Sequence, residues 1–488
     1  AEERLEIINT ATSYTQNIAE EDLDVLGYRE WLLALERGIA AHHAGLLPSF
    51  KAAVEDLFQR GLVKAVFATE TLALGINMPA RTVVLEKLTK WNGEGHVSIT
   101  PGEYTQLTGR AGRRGIDIEG NAVVLWSPTV DSATAAGLAS TRTYPLRSSF
   151  TPSYNMSINL IARFGRERAR TSLESSFAQF QADRAVVGLV KQIRKNDLAA
   201  AEQLESAVCH LGDFEEYARI RMEIKETERL LSKRDGRRTF DNRQRQHMEN
   251  ELDRLRRQLR QHECHSCNDR ETHARFAERA SRLNRESAGL RERVENRTHV
   301  IAKTFDRICD VLTHLGYIEG EKPLEQGKIL AKIYAESDLL LTETIKNGVL
   351  DSLSAPELVS VVSSVIYESR GSENYSPKMP HQNVANALAA ITSIWAQLEG
   401  IEEDFGVKTQ REPDFGFAFA AFKWASGNSL AHVLRGSDMT VGDFVRNIKQ
   451  LIDLLTQISG ASEKLRPTCR EAIKKIDRGV VSYMLGEL

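Results

Sequence analysis

Apolar residues along the chain change their period from one segment to the next. Residues 1–40 are polar, with Tyr28, Trp31, Leu32 and Leu35 spaced three or four apart, as on one helical face. His42 and His43 close a short apolar stretch, and residues 45–48 turn it into a helix. The inner face of that helix is Phe50, Val54, Leu57 and Phe58, and Arg60 with Gly61 ends it. Residues 63–69 form an apolar run rich in β-branched side chains, which predicts a buried strand of parallel type turning at Thr69, Glu70 and Thr71. Further strands are predicted at 82–88, 97–100 and 122–126, with Trp91, Asn92 and Gly93 carrying an Asn-Gly hairpin signal.

Beyond residue 150 the period is helical almost throughout. Tyr154, Ile158 and Ile161 begin one helix, and Leu173, Phe177 and Phe180 mark another. Phe214, Tyr217, Ile224 and Leu231 space as a long helix; Met248, Leu252, Leu255 and Leu259 as a second. Phe276, Ala280, Leu283, Leu290, Val294 and Ile301 space as a third, in a 3-4 alternation. Gly236 turns the first into the second, and Cys264, His265, Ser266 and Cys267 turn the second into the third, giving an antiparallel coiled-coil stalk over 182–302. Its arginine-rich outer faces, around Arg254 and Arg257, read as solvated surface or as an arm that guides RNA or a partner.

Residues 305–345 follow as a helix through Ile308, Leu312 and Leu315, a short hairpin region at 317–332, and a helix from Asp338. The last third is helical, opening on the capping box Ser354, Ala355, Pro356, Glu357. Later helices are predicted near 384–404, 415–426, 441–459 and 464–486. In the 441–459 helix Phe444, Ile448, Leu451, Ile452 and Leu455 face inward, and Arg446, Lys449, Gln450 and Asp453 face out. Trp424 reads either as a buried core residue or as a platform for a base.

The stretch QLTGRAGRRG, residues 106–115, carries the densest candidate chemistry. Pro101 suits the first turn of a helix. If that helix continues, Gln106, Arg110 and Arg113 fall at i, i+4 and i+7 on one face. Two guanidiniums and an amide on one edge, with Gly109 and Gly112 letting the backbone come close, suit a polyanion. A solvated basic helix end is the alternative reading.

Composition narrows the classes. The 488 residues allow about three domains with ample core, at 41% hydrophobic and 27% charged content. A net charge of −3 confines any nucleic-acid site to a local groove. Apolar runs stay short of about eighteen residues, so no membrane partner is expected. The five cysteines indicate a reducing compartment, and a cytoplasmic location is expected. Two stalk helices of about twenty residues each rise roughly 30 Å, so the second returns Cys264 and Cys267 toward Cys209. With a nearby histidine these three thiols form either a zinc site or a group of buried free thiols.

Three segments occur in fixed order: HHAGLLP (42–48), VFATETLALGINMP (66–79) and GEYTQLTGRAGRRG (102–115). They resemble motifs IV, V and VI of the superkiller-type DExH-box RNA helicases of superfamily two. The resemblance implies a mixed, mostly α fold: a partial second RecA-like α/β lobe (1–147) and a winged helix in two parts (148–181 and 303–346). The coiled-coil stalk (182–302) interrupts that winged helix, and a C-terminal helical bundle with a ratchet helix (347–488) follows. It implies Arg110 and Arg113 as the arginine fingers, and Gln106, Gly75 and Asn77 at the nucleotide cleft. His43, Gly45, Thr69, Arg446 and Lys449 are implied as nucleic-acid contacts. The hairpin near Asn92 corresponds to one that helps part strands in related helicases, or is merely a connection.

GxxxxGK[ST] and a DExH box are both absent from the sequence, so ATP and Mg²⁺ are expected to be held mainly by a first lobe outside it. This chain alone is expected to be inactive. The implied parent is an ATP-dependent helicase on single-stranded RNA, acting in RNA processing or decay, with RNA-decay factors as partners. A DNA-unwinding repair helicase and a non-catalytic nucleic-acid-binding scaffold are the alternatives.

Overall fold

The computed structural model describes residues 2–70, 78, 80–91, 95–113, 115, 117–128, 130–141, 146, 148–232, 242–369, 378–437 and 439–484. The described chain is mostly helical, with small two-stranded sheets. It forms two compact units, residues 1–146 with 152–169 and 305–488, and residues 147–151 with 170–304.

In the first unit, strands Ile39–His42 and Ala65–Ala68 pair in parallel, Ile39 opposite Ala65 and His42 opposite Ala68. A parallel pair needs a crossover, supplied here by helix Pro48–Gln59. Its Val54 and Leu57 pack on Ile7 and Ala11 of helix Glu2–Thr15 and on Leu35 of helix Tyr28–Glu36. Trp31 stacks on Phe50 with ring centroids 4.2 Å apart. The expected burial of the 63–69 run holds only at its start: Val63 is buried, but Phe67 is 73% exposed. The apolar cluster closes on Leu62, Val63 and Val66, and strand alternation turns Phe67 to the opposite, uncovered face.

A second parallel pair joins Thr82–Leu85 to Asn121–Val124. The strand predicted to reach residue 88 stops at Leu85, and Leu88 turns into a core with Leu85, Ile99 and Tyr104. Thr89–Trp91 then pairs antiparallel with His96–Ser98. Asn92 and Gly93, between those strands, lie outside the described residues, as does Gly236 in the stalk.

Helices Tyr154–Phe164 and Val300–His314 flank a small hairpin, Ile318–Glu319 with Lys322–Pro323, followed by helices Glu325–Leu330 and Asp338–Lys346. Ile158, Ile161, Phe305, Ile308 and Leu312 are fully buried among them. Buried polar bonds tie the stretches: the Asn155 side chain donates to the Leu330 carbonyl at 2.8 Å, and its backbone N–H to Asp338 at 2.7 Å. Burial pushes the Asp338 carboxyl up to about 7, against the opposing pull of the Asn155 and Leu339 amides. Gly327 permits close packing, since a Cβ there would meet the Tyr317 carbonyl and stand 2.6 Å from Ile158.

The capping box forms, the Glu357 carboxylate accepting from the Ser354 N–H at 2.8 Å and opening helix Ala355–Val362. Helices Gln382–Phe405, Ala418–Ala425, Val441–Ala461 and Arg466–Ile476 follow. The predicted 464–486 helix is shorter than expected, because Asp477 leaves helical geometry and Gly479 takes a positive φ of 52°. Within Val441–Ala461 the buried face is Phe444, Ile448, Leu451, Leu454, Leu455 and Ile458, and Ile452 is only half-buried at its margin.

In the second unit, helix Phe177–Ser206 packs along Arg270–Arg297, and Phe214–Ser232 packs along Asn242–Gln261. The 30-residue Phe177–Ser206 helix adds a member to the three predicted. The third predicted helix does not run through Ile301. The Thr298 hydroxyl bonds back to the Val294 carbonyl at 3.0 Å, and His299 takes a left-handed φ of 57°.

Trp424 is resolved as a core residue. It is 1% exposed, its indole N–H donates to the Ile476 carbonyl at 2.9 Å, and the Arg478 guanidinium lies 3.6 Å from its ring. Trp424→Ala is therefore expected to cost about 3–5 kcal/mol in denaturant unfolding of the first unit. A loss below about 1 kcal/mol would contradict this packing.

Candidate nucleic-acid interface

The loop after strand Ile39–His42 is set by its own side chains. His42 is buried and its Nε2 lies 2.9 Å from Glu55 on the crossover helix, so it braces the strand end. His43 is half-buried, and its Nδ1 accepts the Gly45 N–H at 3.1 Å. That bond makes His43 the group that positions Gly45.

The N-terminus of helix Val441–Ala461 sits directly on this loop. The Gly442 N–H donates to the Gly45 carbonyl at 3.2 Å, and a Cβ at Gly442 would stand 2.5 Å from the Gly45 carbonyl group. A Cβ at Gly45 would in turn meet the Thr440 hydroxyl at 3.1 Å. Thr440 caps the helix by accepting the Asp443 N–H at 3.1 Å. Two glycines thus bring the loop and the helix together backbone to backbone.

Beside this contact lies an open groove of about 510 Å³. Ala44, Leu46 and Lys51 line one wall; Val445, Arg446, Lys449, Gln450 and Asp453 line the other. Arg446 is paired with Asp443 at 2.8 Å, while neither Lys51 nor Lys449 is in an ion pair among the described residues. Burial holds the Lys449 ammonium below its ordinary value, with Asp477 pulling the other way. A partly desolvated ammonium in a groove that Lys51 also lines favours an anionic occupant. Lys51 was not singled out from the sequence, although its place on the open side of the first turn after Pro48 was readable.

Of the contacts expected for nucleic acid, the structure brings His43, Gly45, Arg446 and Lys449 to one place. Thr69 stands at the exposed end of strand Ala65–Ala68, its N–H donating to the His42 carbonyl at 3.2 Å. Gly75 and Asn77 lie outside the described residues, as does Arg114.

The QLTGRAGRRG stretch departs from its predicted geometry. Helix Pro101–Thr108 opens with a full capping box at Thr100 and Glu103 but ends before the arginines. Gln106 is exposed on that helix, whereas Arg110 and Arg113 stand in the loop beyond it, so the three do not share a helical face. The loop is pinned to Ala80, whose N–H donates to the Arg110 carbonyl at 2.9 Å and whose carbonyl accepts from Gly112 at 2.7 Å. Gly112 takes a φ of 92°, and a Cβ there would stand 3.2 Å from Gly120. The glycine permits the chain to cross itself, a need the helical reading overlooked.

Asp117 closes the same loop. It accepts from Arg113 Nε at 2.9 Å, from Nη2 at 2.8 Å and from the Arg113 N–H at 2.9 Å. This fork holds the Asp117 carboxyl down at about 2 and raises the Arg113 guanidinium. The Arg-to-Asp spacing of four was a signal available in the sequence.

The Gly45–Gly442 contact makes a direct prediction. Gly442→Val should lower stability by about 1–3 kcal/mol, read as a drop in the denaturant midpoint. An unchanged midpoint would mean that the close approach is not maintained in solution.

The family model of the helicase conserved C-terminal domain matches residues 7–115, and that of the DSHCT (NUC185) domain matches residues 320–484. The chain is 39% identical to the probable helicase HelY of Mycobacterium tuberculosis, over 99% of this chain and 67% of that protein. The HelY of Mycobacterium leprae is 38% identical over the same shares. The human exosome RNA helicase MTR4 is 39% identical over 43% of this chain and 20% of its own length. The HelY matches cover 99% of the chain, the two domain models include the loop at His43 and the helix at Gly442 respectively, and the chain belongs to the superkiller-type DExH-box helicase family.

Proposed function

We propose that this chain is the distal part of an ATP-dependent helicase that moves along single-stranded RNA. The observation that carries this reading is the groove beside the Gly45–Gly442 contact, with Lys51, Arg446 and Lys449 around it. Cations on aliphatic stems, with no aromatic ring among the lining residues, suit a phosphate backbone of any sequence. Relatives named as RNA helicases support RNA as the strand. Participation in RNA processing or decay, RNA-decay factors as partners and a cytoplasmic setting belong to the same proposal.

In this reading residues 1–147 are a second RecA-like lobe, and the parallel strand pairs with exposed Phe67, Val84 and Val123 support a sheet made to be covered. Residues 148–181 and 303–346 are a winged helix, supported by the small hairpin at Ile318–Glu319 and the helices packed around it. The paired helices of 182–302 are a stalk, and Val441–Ala461 is the ratchet helix. ATP and Mg²⁺ belong mainly to a first lobe that carries the phosphate cradle. Arg110 and Arg113 reach toward the nucleotide from this side, with Gln106, Gly75 and Asn77 at the cleft, and stabilise the charge that develops on the transferred phosphoryl group. Asp117 orients Arg113 before that engagement.

In a polypeptide carrying both lobes, Arg110→Ala with Arg113→Ala should lower RNA-stimulated ATP turnover by about 100-fold or more. Asp117→Ala alone should give a smaller fall, since it disorders one arginine and deletes none. Normal turnover in the double variant would refute the motor reading; equal stimulation by DNA and RNA would refute the RNA assignment.

Charge reversal at Lys51 and Lys449 should weaken oligonucleotide binding about equally for all sequences. For every phosphate that is no longer neutralised, the salt dependence should flatten by roughly 0.7 in slope. An unchanged slope would remove the groove from the RNA path.

A further inference from the structure

Three of the five cysteines converge in the second unit, although no motif of the helicase reading involves them. Cys209 lies in the turn between helices Phe177–Ser206 and Phe214–Ser232. Cys264 and Cys267 lie in the turn between Asn242–Gln261 and Arg270–Arg297. All three are buried in one small cluster with Phe214 and Tyr217. The sulfurs of Cys209 and Cys267 and a ring nitrogen of His210 lie within 4.8 Å of one another. The Cys264 thiol also meets that of Cys209. Cys309 and Cys469, by contrast, are buried singly elsewhere.

From this geometry we propose that Cys209, His210, Cys264 and Cys267 bind one zinc ion, which fastens the two turns of the helical arm to each other. At a tetrahedral zinc with bonds of about 2.3 Å, sulfurs stand roughly 3.7 Å apart, so Cys209, His210 and Cys267, within 4.8 Å of one another, close by up to about 1 Å, and the Cys264 thiol, already against Cys209, turns toward the same point. The surroundings are those of a thiolate site. Backbone N–H groups of Leu211 and Gly212 face the Cys209 sulfur, and that of Asp269 faces Cys267. Amides aimed at sulfur orient and stabilise thiolate ligands.

The fourth ligand follows by exclusion among the neighbouring histidines. The His262 ring accepts the Cys264 N–H at 3.3 Å and the His265 ring bonds the Tyr217 hydroxyl at 3.1 Å; His273, edge-on against Phe214, brings Nδ1 to 3.9 Å from the Cys267 sulfur, but the ring nitrogen grouped with both Cys209 and Cys267 is that of His210. His210 is exposed and adjacent to Cys209. Gly212 is required by the same arrangement, since a Cβ there would stand 2.9 Å from Glu263 and 3.6 Å from the Cys264 sulfur.

The ion would tie the Phe214–Ser232 and Asn242–Gln261 pair to the base from which both helices spring. Between helices rich in arginine and glutamate, an apolar cluster this small gains more from a metal than from further packing.

The test is metal analysis of the whole chain purified under reduction from zinc-supplemented cells. Roughly one zinc per chain is expected, released by a mercurial that titrates thiols, with less than about a tenth remaining in Cys264→Ser with Cys267→Ser. Cobalt exchanged into the wild type should show the visible bands of a tetrahedral thiolate complex, and His210→Ala should alter them while leaving the fold intact. Zinc below about a tenth of an equivalent in the wild type overturns the proposal. So does zinc retained by the double-serine variant, or a mass lower by two hydrogens, which would mean a disulfide.

Discussion

One backbone contact holds together the parts that matter for the proposed function. Gly442 rests on Gly45 with no side chain between them, and its N–H donates to the Gly45 carbonyl. A Cβ at Gly442 would displace the Gly45 backbone, and one at Gly45 would press on the His43 ring and the Thr440 hydroxyl at 3.1 Å. The contact fixes where helix Val441–Ala461 begins, and so fixes the register of everything along its outer face. Arg446, Lys449 and Gln450 line the groove because of that register, and Lys51 faces them because Pro48 starts its helix beside the same loop. His43 stiffens the arrangement by holding the Gly45 N–H.

A second constraint operates in the loop that follows helix Pro101–Thr108. Its glycines serve the chain's own crossing at Gly112 and Gly120, and its backbone is pinned to Ala80. The loop displays arginines on a framework tied to the strand at Thr82, and Asp117 holds one of them in a bidentate grip. An arginine stored in this way is ordered in advance, which lowers the entropic cost of placing it against a phosphate. The carboxylate that orders it also neutralises it, so engagement with a nucleotide requires the charge to be shared or exchanged.

Much of this was legible in the sequence. Helical periodicity identified Pro48–Gln59 and Val441–Ala461 with their inner residues, because both bury an amphipathic face. The capping box at Ser354 was readable, since its residues act locally. What failed depends on distant partners. The exposure of Phe67 follows from which face of a strand pair the core covers, and the strand's own residues do not encode it. The end of the helix at Thr108 was hidden because Gly109 can continue a helix as well as stop one. Lys51 escaped notice because a single lysine on a wet helix face has meaning only once Lys449 is seen opposite it.

The central claim is that the loop at Gly45 and the helix at Gly442 form one surface for a nucleic-acid backbone. Hydrogen exchange of the protein with and without a single-stranded RNA oligomer examines it directly. The account predicts slowed exchange at both 44–51 and 441–453 when RNA is bound, with the two segments protected together at every RNA concentration. Protection confined to one segment, or absent from both while RNA is demonstrably bound, would contradict it.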